Sequence, residues 1–160
     1  MMIRPLVRSV FAFVIAALAC LSLARAEDTQ VWLSKSNGSL VTLAYGPVDP
    51  TKAPLFLLSC FNGMDIAVLD IHHNVSGAKA GDKLMIELSA GSTTASLDGE
   101  TADANGEVFG EASDIKVKPV LAVLREKGPV TVKIGETTAT LAEQGRAEAV
   151  EQFAGACTLD

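Results

Sequence analysis

The residues best suited to chemistry are few. His72 and His73 are the only histidines, in Leu69-Asp70-Ile71-His72-His73-Asn74. Alternate side chains of a strand share a face, so Asp70 and His72 would lie side by side, and a carboxylate with an imidazole can ligate a transition metal. A stable site takes three or four protein ligands, and nothing nearby in the sequence supplies the others. Asp70 and His72 are therefore expected to be the polar end of a strand rather than a metal centre, with His73 turned to solvent. The acidic stretch from Asp98 to Glu107 brings oxygen ligands close together, but Ala102 stands where a calcium loop needs its third ligand, so a solvated hairpin turn is expected. No G-x-S-x-G elbow is present, Ser59 and Cys60 sit in an apolar run, and no Gly-rich strand-to-helix loop could cradle phosphate. The expectation is a protein without catalytic residues and without a cofactor.

The elements that would position these residues begin after an export signal. Residues 1–26 carry Arg4 and Arg8, an apolar stretch from Val10 to Leu23, and Ala24-Arg25-Ala26 before Glu27. That is the three-part pattern of a cleaved secretory signal, and its apolar part is short for a membrane span. An uncleaved anchor and lipidation at Cys20 are the alternatives. Cleavage leaves 134 of the 160 residues and removes three of the 13 basic residues and none of the 19 acidic ones, for a formal charge of −9. Such a charge argues against nucleic acid or an anionic membrane as partner. A single domain of this size, residues 27–160, can fold without a metal.

Cleavage also removes Cys20 and leaves two cysteines, Cys60 and Cys157. In an oxidising compartment an even pair suggests one disulfide, and the chain holds no C-x-x-C that would argue for redox activity.

Hydrophobic patterning then predicts strands near 30–34 and 40–45 around Asn37-Gly38, and near 55–61 and 64–71 around Asn62-Gly63. Further strands are expected at 83–89 and 92–97, with Asn105-Gly106 turning into another at Glu107. Turn signals at this spacing suggest an antiparallel meander. The period becomes helical after Pro119 and ends at Gly128-Pro129, then alternates again through 130–134 and 137–141. In the last segment Val150, Phe153, Ala154 and Cys157 fall at helical spacing, which puts the thiol on an inward stripe where Cys60 can meet it. The predicted fold is α+β: an antiparallel sheet of about seven to nine strands, helices near 119–127 and 145–156, and a bridge pinning the second helix to the sheet.

This layout resembles the type VI secretion-associated accessory proteins and related exported proteins. The likeness is carried by Leu57-Leu58-Ser59-Cys60-Phe61-Asn62-Gly63-Met64, by Asp103-Ala104-Asn105-Gly106-Glu107-Val108-Phe109, by the helix-to-strand segment 120–134, and by Ala156-Cys157 closing the last helix. It covers about residues 54 to 158 and departs in having few aromatic residues between 64 and 106. The resemblance implies a periplasmic, disulfide-bridged accessory or binding role in a Gram-negative bacterium. No secretion function is carried over from it.

The expected function is thus a non-catalytic periplasmic or secreted binding protein whose partner is a protein of the cell envelope. Its contact surface is expected at the first hairpin, where Trp32 and Tyr45 are either strand packing or an exposed anchor, or at the acidic turn near 98–107. Two alternatives follow from the residues: an inhibitor or modulator of a basic secreted enzyme, and a small metal-handling protein acting through Asp70 and His72. Asn37-Gly38-Ser39 and Asn74-Val75-Ser76 match the glycosylation pattern, but Asn at a turn has its own backbone reason.

Overall fold

The computed structural model describes residues 29–73, 75 and 77–159. The export segment with Cys20, and Asn74 and Ser76 of the second acceptor triplet, lie outside them. Among the described residues no helix is long and apolar enough to cross a membrane.

Alternating apolar residues make nine strands in one sheet, every pairing antiparallel. They are β1 (Gln30–Asn37), β2 (Leu40–Pro47), β3 (Phe56–Phe61), β4 (Ile66–Ile71), β5 (Lys83–Ala90), β6 (Thr93–Ala104), β7 (Glu107–Ser113), β8 (Val130–Ile134) and β9 (Thr137–Leu141). Helix α1 (Val117–Leu124) lies between β7 and β8 in the chain, and α2 (Arg146–Ala156) follows β9. The α+β class, the strand number and the bridged C-terminal helix are as the patterning predicts.

Several details differ, each for a physical reason. The chain is not a simple meander, because β4 pairs with β7 rather than with β5, and β5 turns its other edge to β8, in the order β1-β2-β3-β4-β7-β6-β5-β8-β9. The acidic stretch is strand rather than loop as far as Ala104, since Leu97 and Thr101 point inward while Asp98 and Glu100 point out. Only Asn105 and Gly106 form its turn, with φ of 55° and 83°, the two positive values a type I′ hairpin demands. Finally, α1 begins at Val117, two residues before Pro119, and stops at Leu124, where the following carbonyls are taken by a side chain. Arg146 Nε donates to Leu124 O at 2.8 Å, and its Nη2 donates to Glu126 O and, at 2.8 Å, to Gly128 O. This arginine is 2% exposed, and it replaces the helix ladder at the end of α1.

The sheet curls strongly. A side chain added at Gly110 on β7 would lie 3.3 Å from Ile134 of β8, three strands away in sheet order. Trp32 Nε1 on β1 donates at 2.6 Å to Ala142 O, just beyond β9. Trp32 and Tyr45 are therefore packing residues, both buried, with the indole 5.0 Å from the tilted Tyr45 ring and 5.6 Å from Phe56, which it meets edge-on. The inner face carries Val41, Leu43, Leu58, Leu69, Ile86 and Leu88, each at most 1% exposed, and α1 and α2 cover it with Val120, Leu124, Val150 and Phe153.

Cys60 faces this core and is bonded to Cys157 at the end of α2, with Cα atoms 5.9 Å apart. Asn62 reinforces the bridge: its Nδ2 donates to Ala156 O and its Oδ1 accepts from Thr158 N, both at 2.9 Å. That double use explains why Asn62-Gly63 is not the tight turn expected. The positive φ falls on Asp65 instead, at 55°, and β4 starts at Ile66 rather than Met64.

Candidate functional site

With one face of the sheet committed to the core, the side chains free for other work stand on its outer face. Register places them in rows across the strands. One row runs Leu33 (β1), Ala44 (β2), Leu57 (β3), Asp70 (β4), Glu111 (β7), Glu100 (β6), Lys83 (β5). It begins apolar, passes through three adjacent carboxylates and ends on a base. The next row adds Lys35, Thr42, Ser59, Val68 and Ser113. Leu33 is 46% exposed, whereas Leu57 and Val68, two and three strands further along, are half-buried.

Asp70 sits where the two halves of the row meet. Strand β4 lies inside the sheet between β3 and β7, so the carboxyl is flanked by Leu57 on one side and by Glu111 on the other. Its Oδ1 is buried and makes no hydrogen bond. Burial, and secondarily the charge on Glu111, pushes its pKa up from the ordinary 3.8 to about 6. A carboxylate at neutral pH is thus held in a position that disfavours its charge.

His72 follows directly. The strand ends at Ile71, yet His72 stays tied to the sheet because its N–H donates to Leu55 O at 2.9 Å. Its ring lies flat on Phe109 of β7, with centroids 4.4 Å apart and planes 22° from parallel. Nδ1 is buried and 3.6 Å from Glu107 Oε1, too long for a hydrogen bond. Asp70 and His72 do share the outer face, as alternation requires. Among the described residues no group of three or more His, Cys, Asp or Glu is arranged to hold a metal ion, and of the pair it is the His72 ring that rests against Phe109. His73, expected in solvent, is half-buried.

The acidic stretch contributes the other half of the site. Strand β6 is long because it changes partners, pairing with β5 through Glu100 and with β7 from Glu100 to Ala104. The corner falls at Gly99, where a Cβ would stand 2.5 Å from Glu111 O, so only glycine lets β7 come this close. Beside the corner a notch of about 380 Å³ opens on the outer face, lined by Lys83, Asp98, Gly99, Glu100, Glu111 and Ser113. Lys83 Nζ pairs with Glu100 at 2.6 Å and Ser113 Oγ donates to Glu111 Oε1 at 2.9 Å. Among the described residues no lysine or arginine pairs with Asp98 or Glu111.

Compared with known proteins, the chain matches no family model, no curated protein and no solved structure.

Two other clefts are spoken for internally. The one between α1 and α2, about 320 Å³, is bridged by Arg125 Nε donating to Glu151 at 2.8 Å, which holds the Glu151 carboxyl below its usual range. The one at the mouth of the curl, about 430 Å³, has Thr101 in its wall, and that hydroxyl donates to Lys79 O and accepts from Asp82 N at 3.0 Å. Sequence reasoning found the acidic stretch and the first hairpin separately. It missed that β3 and β4 join them into one face, because that depends on β4 pairing with β7.

Proposed function

We propose that this is an exported, non-catalytic binding protein that meets a protein partner of the cell envelope through the outer face of its sheet. One observation carries the reading: the two surfaces that the sequence marks for contact, the first hairpin and the acidic 98–107 region, belong to one cross-strand row. Leu33 stands exposed at one end of it, and Glu111 and Glu100 stand at the other, with Asp98 two residues from Glu100 on the same face of β6. The disulfide suits an oxidising compartment and supports periplasmic or secreted localisation. The resemblance to accessory proteins of secretion systems points to the same class of role.

The acidic notch favours one alternative, a modulator of a basic secreted enzyme, as the form such binding would take. The test is purification of the tagged, exported protein from envelope extract under native conditions, with its companions identified by mass spectrometry. A stoichiometric companion that is lost after disulfide reduction and denaturation is expected. Recovery of the protein alone, across several extraction conditions, would sink the binding reading.

A further inference from the structure

We infer that the outer face of the sheet from β1 through β2, β3, β4 and β7 to β6 docks a basic protein segment, which lays apolar side chains over Leu33, Leu57 and Val68 and places an arginine or lysine in the notch between Glu111 and Asp98. This deepens the binding role proposed above and rests on it.

Charge complementarity selects the occupant. The carboxylates of Asp70, Glu111 and Asp98 face outward from neighbouring strands. The one lysine in the notch is spent on Glu100. A second copy of the chain would bring the same acidic row against itself, which like charges disfavour. An anionic lipid surface or nucleic acid is repelled for the same reason. A bare metal ion finds no group of three donors among the described residues. A small organic cation would use the notch and leave the apolar side chains idle. The row from Leu33 to Glu111 crosses five strands and so extends about 19 Å at roughly 4.8 Å per strand spacing, the length of a short extended segment.

The notch suits a long cationic side chain in particular. Its volume of about 380 Å³ exceeds what one such side chain occupies, and its rim is open. A guanidinium there can be shared by Glu111 and Asp98, the kind of paired carboxylate contact that arginine makes well. Val68 stands opposite Ser113 of the notch on the neighbouring strand, and Leu57 stands one strand further on, opposite Asp70, so an apolar stretch adjoins the notch on one side. Apolar contact supplies affinity, and the carboxylates supply orientation and selectivity for a basic partner.

The test uses the whole exported protein and three labelled synthetic peptides of equal length, alternating leucine with arginine, leucine with glutamate, and serine with arginine. The leucine–arginine peptide should bind, should weaken as salt is raised, and should shift amide resonances of the outer row, on β1, β2, β3, β4, β7 and β6, and not those of α1 and α2. The other two should bind at least about tenfold more weakly, because each lacks one of the two contributions. The double variant Asp98→Asn with Glu111→Gln, both exposed or half-exposed positions, should lose about tenfold in affinity for the first peptide with a melting temperature no lower than that of the native protein. Absence of binding, equal binding of all three peptides, or resonance shifts on α1 and α2 instead would overturn the inference. Photo-crosslinkers placed at Leu33 and, as a helix-face control, at Gln152 separate this failure from that of the wider reading. An envelope partner that crosslinks only through Gln152 refutes this surface and keeps the binding role, while a partner peptide rich in lysine or arginine crosslinked from Leu33 supports both.

Discussion

Replacing Asp70 by Asn should stabilise the protein at neutral pH and do nothing for it in acid. Asp70 is held between Leu57 and Glu111 with Oδ1 buried and unpaired, and its pKa is pushed up from 3.8 to about 6, first by burial and then by Glu111. Because the folded state holds this proton more tightly than the unfolded chain, the carboxyl favours folding below about pH 4. That contribution is lost as pH rises through about 6, and the penalty is constant above it. The rise corresponds to at most about 3 kcal/mol, and partial solvent contact at Asp70 reduces this to about 1–2 kcal/mol. Asn keeps the shape and cannot ionise. Urea unfolding followed by the fluorescence of Trp32, the single tryptophan and a buried one, reads the difference directly. Asp70→Asn should exceed the native protein by about 1–2 kcal/mol at pH 7.5, and the gap should close by about pH 4. Glu111→Gln should recover a smaller part, since burial is the larger cause. A gap of the same size at both pH values, or a variant less stable at pH 7.5, would refute the reasoning.

Other perturbations follow from the same structure. Cys157→Ser should destabilise by about 4 kcal/mol or somewhat less, because the bridge closes a loop of 97 residues, and hydrogen exchange should show α2 loosening before the sheet. Arg146→Met keeps the aliphatic stem but strips Leu124, Glu126 and Gly128 of their donor; a loss of about 2–3 kcal/mol is expected, partly offset because burial already disfavours the guanidinium charge. Amides near 124–128 should then exchange first, and unaltered protection there would count against the capping role. Gly99→Ala should cost about 1–3 kcal/mol and shift resonances of β6 and β7 together, since the added methyl meets Glu111 O. Zinc added to metal-free protein should leave the melting temperature unchanged, as Asp70 and His72 gather no third ligand among the described residues; a rise of several degrees would revive the metal reading.

Much of the fold was legible because the signals are local. Alternation marks the strands, Asn105-Gly106 marks its turn, and the spacing Val150, Phe153, Ala154 and Cys157 marks both α2 and the partner of Cys60. What stayed hidden depends on contacts distant in sequence. Nothing in β4 says that its free edge goes to β7, so the break in the meander and the assembly of the outer row could not be read. Asn62-Gly63 imitates a two-residue turn, and only the far end of the chain, through Ala156 and Thr158, explains why it is not one. Arg146 carries no local sign of burial in the sequence around it. Its burial follows from the position of the α1 terminus, more than twenty residues earlier in the chain.

The outer row also holds groups that folding alone would not select. The inner face is apolar to within a few residues and closes under two helices, so stability is already provided there. On the outer face, an exposed Leu33 gains nothing from being apolar, and Asp70 is a carboxylate in a place that disfavours its charge while lying opposite a second one. Each is unfavourable for the isolated protein, and a polar uncharged residue at either position would relieve it. Both lie in the single cross-strand row that ends at the acidic notch. Local choices that disagree with folding are expected where a sequence answers to function instead. A basic, partly apolar partner would turn both into favourable contacts, covering Leu33 and supplying Asp70 and Glu111 with the positive charge that the sheet itself withholds.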